Sequence, residues 1–275
     1  MRGPKPLLQG LERVGALAPA YRLYERVRAL RGRNGRAESD GLPLPPARLR
    51  LVVAGTTDAS WFLESGRTTA ETIRAAAARH GPDLGDIERL LDFGCGCGRV
   101  TRHWQNLGAA VHGSDYNADL VEWCSSNLPF ATFTTNRLGP PLPLSSESID
   151  VAHAVSVLTH LPEDLQHAWL AELRRVLRPG GLLVVSTHGD RYLDRLDDEE
   201  RDSYERGELV VRWESVAGTN LCTAFHPEPY VREKLAGDGF ELLEFAPEGA
   251  VGTPDQDLVV LRRTERPQAR PDANS

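Results

Sequence analysis

The chain has 275 residues, 40% of them hydrophobic, with a net charge of −7. That length suits one large α/β domain with a substantial buried core. No apolar run approaches the roughly 20 residues that span a bilayer, no N-terminal pattern marks a secretory signal, and Cys95, Cys97, Cys124 and Cys222 are too few for a disulfide framework in a chain this long, so a cytoplasmic protein is expected. Residues 1–50 hold 11 Lys and Arg against 4 Asp and Glu, while the remainder holds 21 against 35. An acidic body of this kind lacks the broad basic face of a nucleic-acid binder.

Residues 1–45 read as a basic arm and linker. Little pattern precedes Ala20, and then Leu23, Val27 and Leu30 recur at helical spacing over residues 20–31. Gly, Asn and Pro make residues 31–46 a linker. A helix is predicted over 68–80, ended by Gly81-Pro82. Strand and helix signals alternate from there. Strands are predicted at 90–93, 109–115, 131–135, 149–155 and 182–187, with helices at 99–107, 118–126 and 162–177 between them. This alternation predicts a parallel, doubly wound sheet. Residues 190–226 interrupt it with a charged helix at 190–206 and a hairpin from 208–213 and 219–225. A helix at 227–236 and strands at 240–245 and 257–262 complete a domain spanning 46–263, and residues 264–275 read as a loose tail.

The strongest chemical signal is Asp92-Phe93-Gly94-Cys95-Gly96-Cys97-Gly98-Arg99, which follows a predicted strand and opens a predicted helix. Alternate glycines let the backbone turn tightly and a ligand approach it. A pyrophosphate-binding G-x-G-x-x-G motif would need glycine where Arg99 stands, and the acid before the first glycine suits a cationic ligand group better than an anion. Asp115, at the end of the next strand, is placed to accept both hydroxyls of a ribose; its alternative is a helix N-cap. Cys95-x-Cys97 has no second ligand pair, so no metal site is expected there.

With residues 150–161 and the Leu177-Arg178-Pro179-Gly180-Gly181 turn, these segments resemble the successive motifs of class I S-adenosylmethionine-dependent methyltransferases of the small-molecule type, over roughly residues 85–190. The resemblance implies a Rossmann-like seven-stranded sheet whose last strand is antiparallel, with 190–226 as an inserted helix and hairpin cap. It also implies S-adenosyl-L-methionine as cofactor. It places Asp92, Gly94, Cys95, Gly96 and Gly98 around the methionine moiety, Asp115 on the ribose, Tyr116 and Asn136 beside the adenine, and Ala154 and Val155 along the transferred methyl. No Asn/Asp-Pro-Pro-aromatic motif and no Pro-Cys nucleophile follows the fourth strand, which weakens nucleobase methylation.

For a hydroxyl acceptor, methyl transfer needs a base. His188 and His160, after predicted strands, and His226, at the end of the hairpin, are the candidates; each has a structural alternative. Trp61, Phe62 and Arg67 are candidates to close over the cofactor, and Trp213, Glu214 and His226 to wall the acceptor. The expected partner is a small-molecule acceptor, with oxygen of a sugar or secondary metabolite as the methylated atom. A protein or nucleic-acid substrate docked by the arm, and a non-catalytic binding module, are the alternatives.

Overall fold

The computed structural model describes residues 5–30, 40–237 and 239–264; residues 31–39 of the expected linker and 265–275 of the expected tail lie outside them. Among the described residues the strands are β1 (Arg89–Phe93), β2 (Ala110–Asp115), β3 (Ala131–Thr135), β4 (Ile149–Ala154), β5 (Leu177–Thr187), β6 (Val210–Arg212), β7 (Thr223–Phe225), β8 (Phe240–Ala246) and β9 (Asp257–Arg263). Seven form one sheet in the order β3-β2-β1-β4-β5-β9-β8, and β6 and β7 pair as a separate antiparallel hairpin. β1 through β5 pair in parallel, while β9 runs antiparallel between β5 and β8, so the expected antiparallel last strand is present.

The α-helices are α1 (Lys5–Arg13), α2 (Leu17–Leu30), α3 (Ala47–Ala54), α4 (Ala59–His80), α5 (Ala118–Asn127), α6 (Glu163–Val176), α7 (Asp198–Glu205) and the single turn α8 (Glu228–Tyr230). Two cores sandwich the sheet. On one face Trp169, Leu173 and Val176 of α6 meet Leu183 and Val185. On the other, Ile73, Ala76 and Ala77 of α4 meet Leu182 and Val184. Residues 182–185 of β5 therefore feed both cores alternately, which is why they read as an unbroken apolar run rather than a half-polar one. None of the helices among the described residues is long and apolar enough to cross a membrane.

Several local expectations change: β5 begins at Leu177, five residues before its predicted start, the helix expected over 227–236 is a single α-turn followed by a π-helical segment, and three other helices differ. α4 begins at Ala59, nine residues before the predicted start, because the Asp58 carboxylate accepts the Ser60 and Trp61 amides as an N-cap. The predicted helix over 99–107 is only a 3-10 turn, Thr101–Trp104. The predicted helix over 190–206 splits into a 3-10 segment, Asp190–Arg195, and α7, which the Asp197–Glu200 capping box starts afresh.

The insertion has a small core of its own, built from Tyr192, Leu196, Tyr204, Val210 and Phe225. Residues 5–30 form two helices that pack on it. Leu17 is buried with Val216 and Cys222, and Leu8, Leu11 and Trp213 pack around them. Lys5 pairs with Asp197 and Glu200, and Ser215 donates to Glu12 at 2.9 Å. The face of α2 singled out by spacing is the outer one, with Leu23 and Val27 exposed; tertiary packing recruits Leu17 instead.

Candidate active site

The strand order reverses between β1 and β4, and such a switch point opens a crevice beyond the strands' C-terminal ends. A cleft of about 290 Å³ lies there. Its floor is the glycine loop after β1. Gly94, Gly96 and Gly98 take φ of 75, 56 and 77°, and the Gly94 and Cys95 amides both donate to the Ser114 carbonyl, at 2.7 and 3.0 Å. Gly96 has a second reason to lack a side chain: a Cβ there would lie 2.8 Å from a methyl of Val53 in α3, which covers the loop.

Asp115 closes this half of the cleft. One carboxylate oxygen accepts the Gly96 amide at 2.9 Å and the other the Asn117 amide at 2.9 Å. The carboxylate thus ties the turn after β2 to the glycine loop. Burial pushes its pKa up to about 6 against those two hydrogen bonds. The alternative cap role for Asp115 falls to Asn117, whose side chain accepts the Asp119 amide.

Asp92 also lines the cleft. It accepts from the Thr101 hydroxyl at 2.5 Å and stands 3.4 Å from the buried His153 Nδ1, whose Nε2 accepts from the Trp104 indole at 3.1 Å. Asn136 accepts from the Ser114 hydroxyl at 2.6 Å and faces the cleft, and the Tyr116 hydroxyl donates to the Gly218 carbonyl at 3.0 Å across it. The structure brings Asp92, Gly94, Cys95, Gly96, Asp115, Tyr116, Asn136 and Val155 to the cleft. Ala154 is instead fully buried among the residues of the α6 face, because side chains alternate along β4. Gly98 lies behind the loop, against Leu128 and Cys124.

The three histidines separate by their hydrogen bonds. His188 is spent at both nitrogens: Nδ1 donates to the Ala224 carbonyl at 3.1 Å, and Nε2 lies 3.3 Å from the Gln256 amide nitrogen. Burial holds its pKa down to about 2. His226 is wholly buried, with Nε2 3.1 Å from Gln166 Oε1, and burial lowers it to about 3. Neither lines the cleft; His160 does. Its Nδ1 lies 2.7 Å from the Cys222 carbonyl, and a carbonyl can only accept, so Nδ1 carries the proton. Nε2 is left as a lone pair with no hydrogen-bond partner among the described residues, and burial lowers the pKa of this ring below its ordinary value.

The expected acceptor wall changes too. Trp213 packs beside Leu17 and His226 is buried, so the insertion meets the cleft through Gly218 and Asn220 instead. The Gly218 amide donates to the His160 carbonyl at 2.8 Å and Asn220 Nδ2 to the Val52 carbonyl at 2.6 Å, which straps the insertion across the cleft to α3.

Sequence reasoning missed Arg99. It is 8% exposed and lines the cleft. Its Nη1 lies 3.4, 3.2 and 3.4 Å from Ser65 Oγ, Thr69 Oγ1 and the Gly252 carbonyl, and it forms no ion pair among the described residues. Burial lowers its pKa to about 10, and a buried cation of this kind calls for an anion. The available signal was an arginine directly after the third loop glycine. Arg67, a sequence candidate to close over the cofactor, is half-exposed and paired with Glu64 and Glu71.

Residues 91–185 match the family described as "Methyltransferase domain". Residues 91–185 thus carry a methyltransferase domain, and the strand order and glycine loop are those of the class I S-adenosylmethionine-dependent fold. Among curated relatives, the malonyl-[acyl-carrier protein] O-methyltransferase of Pectobacterium atrosepticum is 25% identical over 62% of this chain and 59% of its own length. A ubiquinone biosynthesis O-methyltransferase of Bradyrhizobium is 32% identical over 46% of this chain and 47% of its own. The chain thus spans about half to two thirds of the length of the curated relatives it matches. Among solved structures, the glycopeptide N-methyltransferase MtfA complexed with S-adenosyl-L-homocysteine shares the fold at TM-score 0.51 and 18% identity, over 71% of this chain and 89% of that one. A protein from Pyrococcus horikoshii shares it at TM-score 0.54 and 18% identity, over 76% and 92%.

Proposed function

We propose that the chain methylates a hydroxyl oxygen of a small molecule, such as a sugar or a secondary metabolite, with S-adenosylmethionine as donor. The observation that carries this reading is His160, a neutral imidazole anchored at Nδ1 that leaves Nε2 available to take a proton at the cleft. A hydroxyl acceptor needs such a base, whereas a carboxylate acceptor, already ionised, does not. The names of both curated relatives specify methylation at oxygen, which supports the choice of atom.

The residues fit the cofactor. Arg99 is a buried cation that suits its carboxylate, Gly96 lines the cleft without a side chain to obstruct a ligand, and the Asp115 carboxylate lining the same cleft suits ribose hydroxyls as donors. Bound there, the cofactor supplies a methyl group on a sulfonium sulfur. The protein orients the acceptor against it and removes the hydroxyl proton onto His160 Nε2; alignment, rather than covalent participation by the protein, lowers the barrier.

The test is transfer of radiolabelled methyl to a panel containing a phenol, a sugar, a carboxyl thioester, a peptide and an RNA. Label in the phenol or sugar, lost on His160→Gln, supports the reading. Label confined to the peptide, the RNA or the thioester would overturn it.

A further inference from the structure

A second cavity, about 580 Å³, lies between α1, α2, α3 and the insertion. Leu8, Leu11, Leu17, Leu51 and Leu221 line it, with Ala20 and Tyr21. Tyr24, Glu25 and Arg28 add polar groups to the lining. Gly55 and Asn220 line both this cavity and the cleft, Arg28 Nη2 donates to the Gly55 carbonyl at 3.1 Å, and Asn220 bonds to Val52.

Side chains in protein interiors pack with few voids larger than a water molecule. The leucine part of the wall offers water few partners. This space is within the roughly 300–1,000 Å³ of small-molecule sites, which are likewise mostly apolar with a few polar groups that fix orientation. We propose that this cavity holds the apolar chain of an amphiphilic acceptor whose hydroxyl end passes Gly55 and Asn220 into the cleft beside His160. The acceptor role rests on the function proposed above; the apolar chain site rests on the cavity alone. Gly55 and Asn220, shared with the cleft, suit the polar end of such a molecule, and the five leucines suit an alkyl or isoprenoid chain. The site also gives the two N-terminal helices work that a solvated arm would not have, since Leu8, Leu11, Leu17 and Ala20 all come from them.

The experiment uses the full chain and 11-(dansylamino)undecanoic acid as probe, read by its fluorescence shift, with S-adenosylhomocysteine affinity measured in parallel by calorimetry. Ala20→Trp fills the cavity from α2, and Leu11→Gln makes its wall polar without filling it. Saturable probe binding is expected, weakened about tenfold or more by each variant (about 1.4 kcal/mol), with homocysteine-product affinity unchanged. A wild-type chain that binds the product but not the probe overturns the proposal, as does probe binding that neither variant weakens. Sedimentation with phosphatidylglycerol vesicles without binding of monomeric probe also overturns it, by assigning the leucines to a membrane surface. Probe binding without product binding upholds the chain site but defeats both the acceptor role and the proposed function.

Discussion

The two sides of the cleft are built in different ways. The glycine-loop side comes from strand ends, and Gly96 and Asp115, its central residues, meet through a backbone amide. The opposite side comes from α3 and the insertion, joined by Asn220 to Val52 and by Gly218 to His160, and is braced from behind by α1 and α2. Backbone amides fixed by hydrogen bonds at strand ends leave little room for variation. A wall of side chains from distant segments can be re-lined one residue at a time. A fold made this way can keep one donor site while its acceptor site changes.

The sharpest way to break this comparison is Gly96→Val. A β-branched residue at φ 56°, with its Cβ 2.8 Å from Val53, disrupts both the turn and the covering helix. Binding of S-adenosylhomocysteine should become undetectable by calorimetry while circular dichroism still reports a folded sheet; normal affinity would remove the loop from the site. Next is His160→Gln, expected to lower kcat by about 10²–10⁴-fold with product affinity intact. The wild-type acid limb should lie below the ordinary imidazole value of 6.5, because the neutral form is required and burial lowers the pKa. A limb at or above that value, or unimpaired turnover, would take the base away from His160.

Smaller losses are expected on the donor side from Arg99→Gln and Asp115→Ala. Each removes charge-assisted hydrogen bonds worth about 1.5–3 kcal/mol, roughly 10- to 150-fold in affinity. Equal losses from Trp213→Ala, which lies outside both the cleft and the second cavity, would erase the distinction between the two sides.

The smallest effect is on stability. His188 and His226 stay neutral in the fold down to about 2 and 3, against an ordinary 6.5. Below 6.5 the unfolded chain takes up protons that the fold refuses, so their contribution is whole above that pH and is lost on acidification, by at most about 1.4 kcal/mol per pH unit for each. Asp115 and Asp257, raised to about 6 from 3.8, act in the opposite sense: their contribution is present below 3.8 and lost as pH rises through 6. The urea midpoint should therefore fall between pH 7 and pH 5, less steeply than the histidines alone would give. A midpoint that rises over that window would show that these rings are protonated in the fold.

Most of the sheet was legible because strands are short runs between turn signals; β3 is observed over the residues predicted, β1, β2 and β9 differ by one residue at an end, and β5 starts five residues earlier, taking in the predicted turn at Leu177–Gly181. α3 was not legible. Arg48 and Arg50 interrupt its apolar pattern, and Arg50 is buried only because the Pro45 and Thr57 carbonyls, both outside the helix, accept its guanidinium. Arg99 was passed over for a related reason: in the sequence it marks a failed glycine pattern, and its burial depends on Ser65, Thr69 and Gly252 from elsewhere in the chain. The histidines were equivalent by position after a strand or hairpin. What separates His160 from His188 is which nitrogens are occupied, and Gln256, which occupies His188, comes from a distant part of the chain, just before β9, the strand paired with β5.

Because Leu182 and Val184 face one core and Leu183 and Val185 the other, this stretch of β5 has no solvent side on which a polar residue could be accommodated. Ordinary strands give up alternate positions to drift, whereas here four consecutive residues are closed to it. A polar replacement at any of them leaves a group buried without water, and a shortened one leaves a void. Over time this segment should change only within the aliphatic residues, keeping its volume while the loops beyond its end diverge.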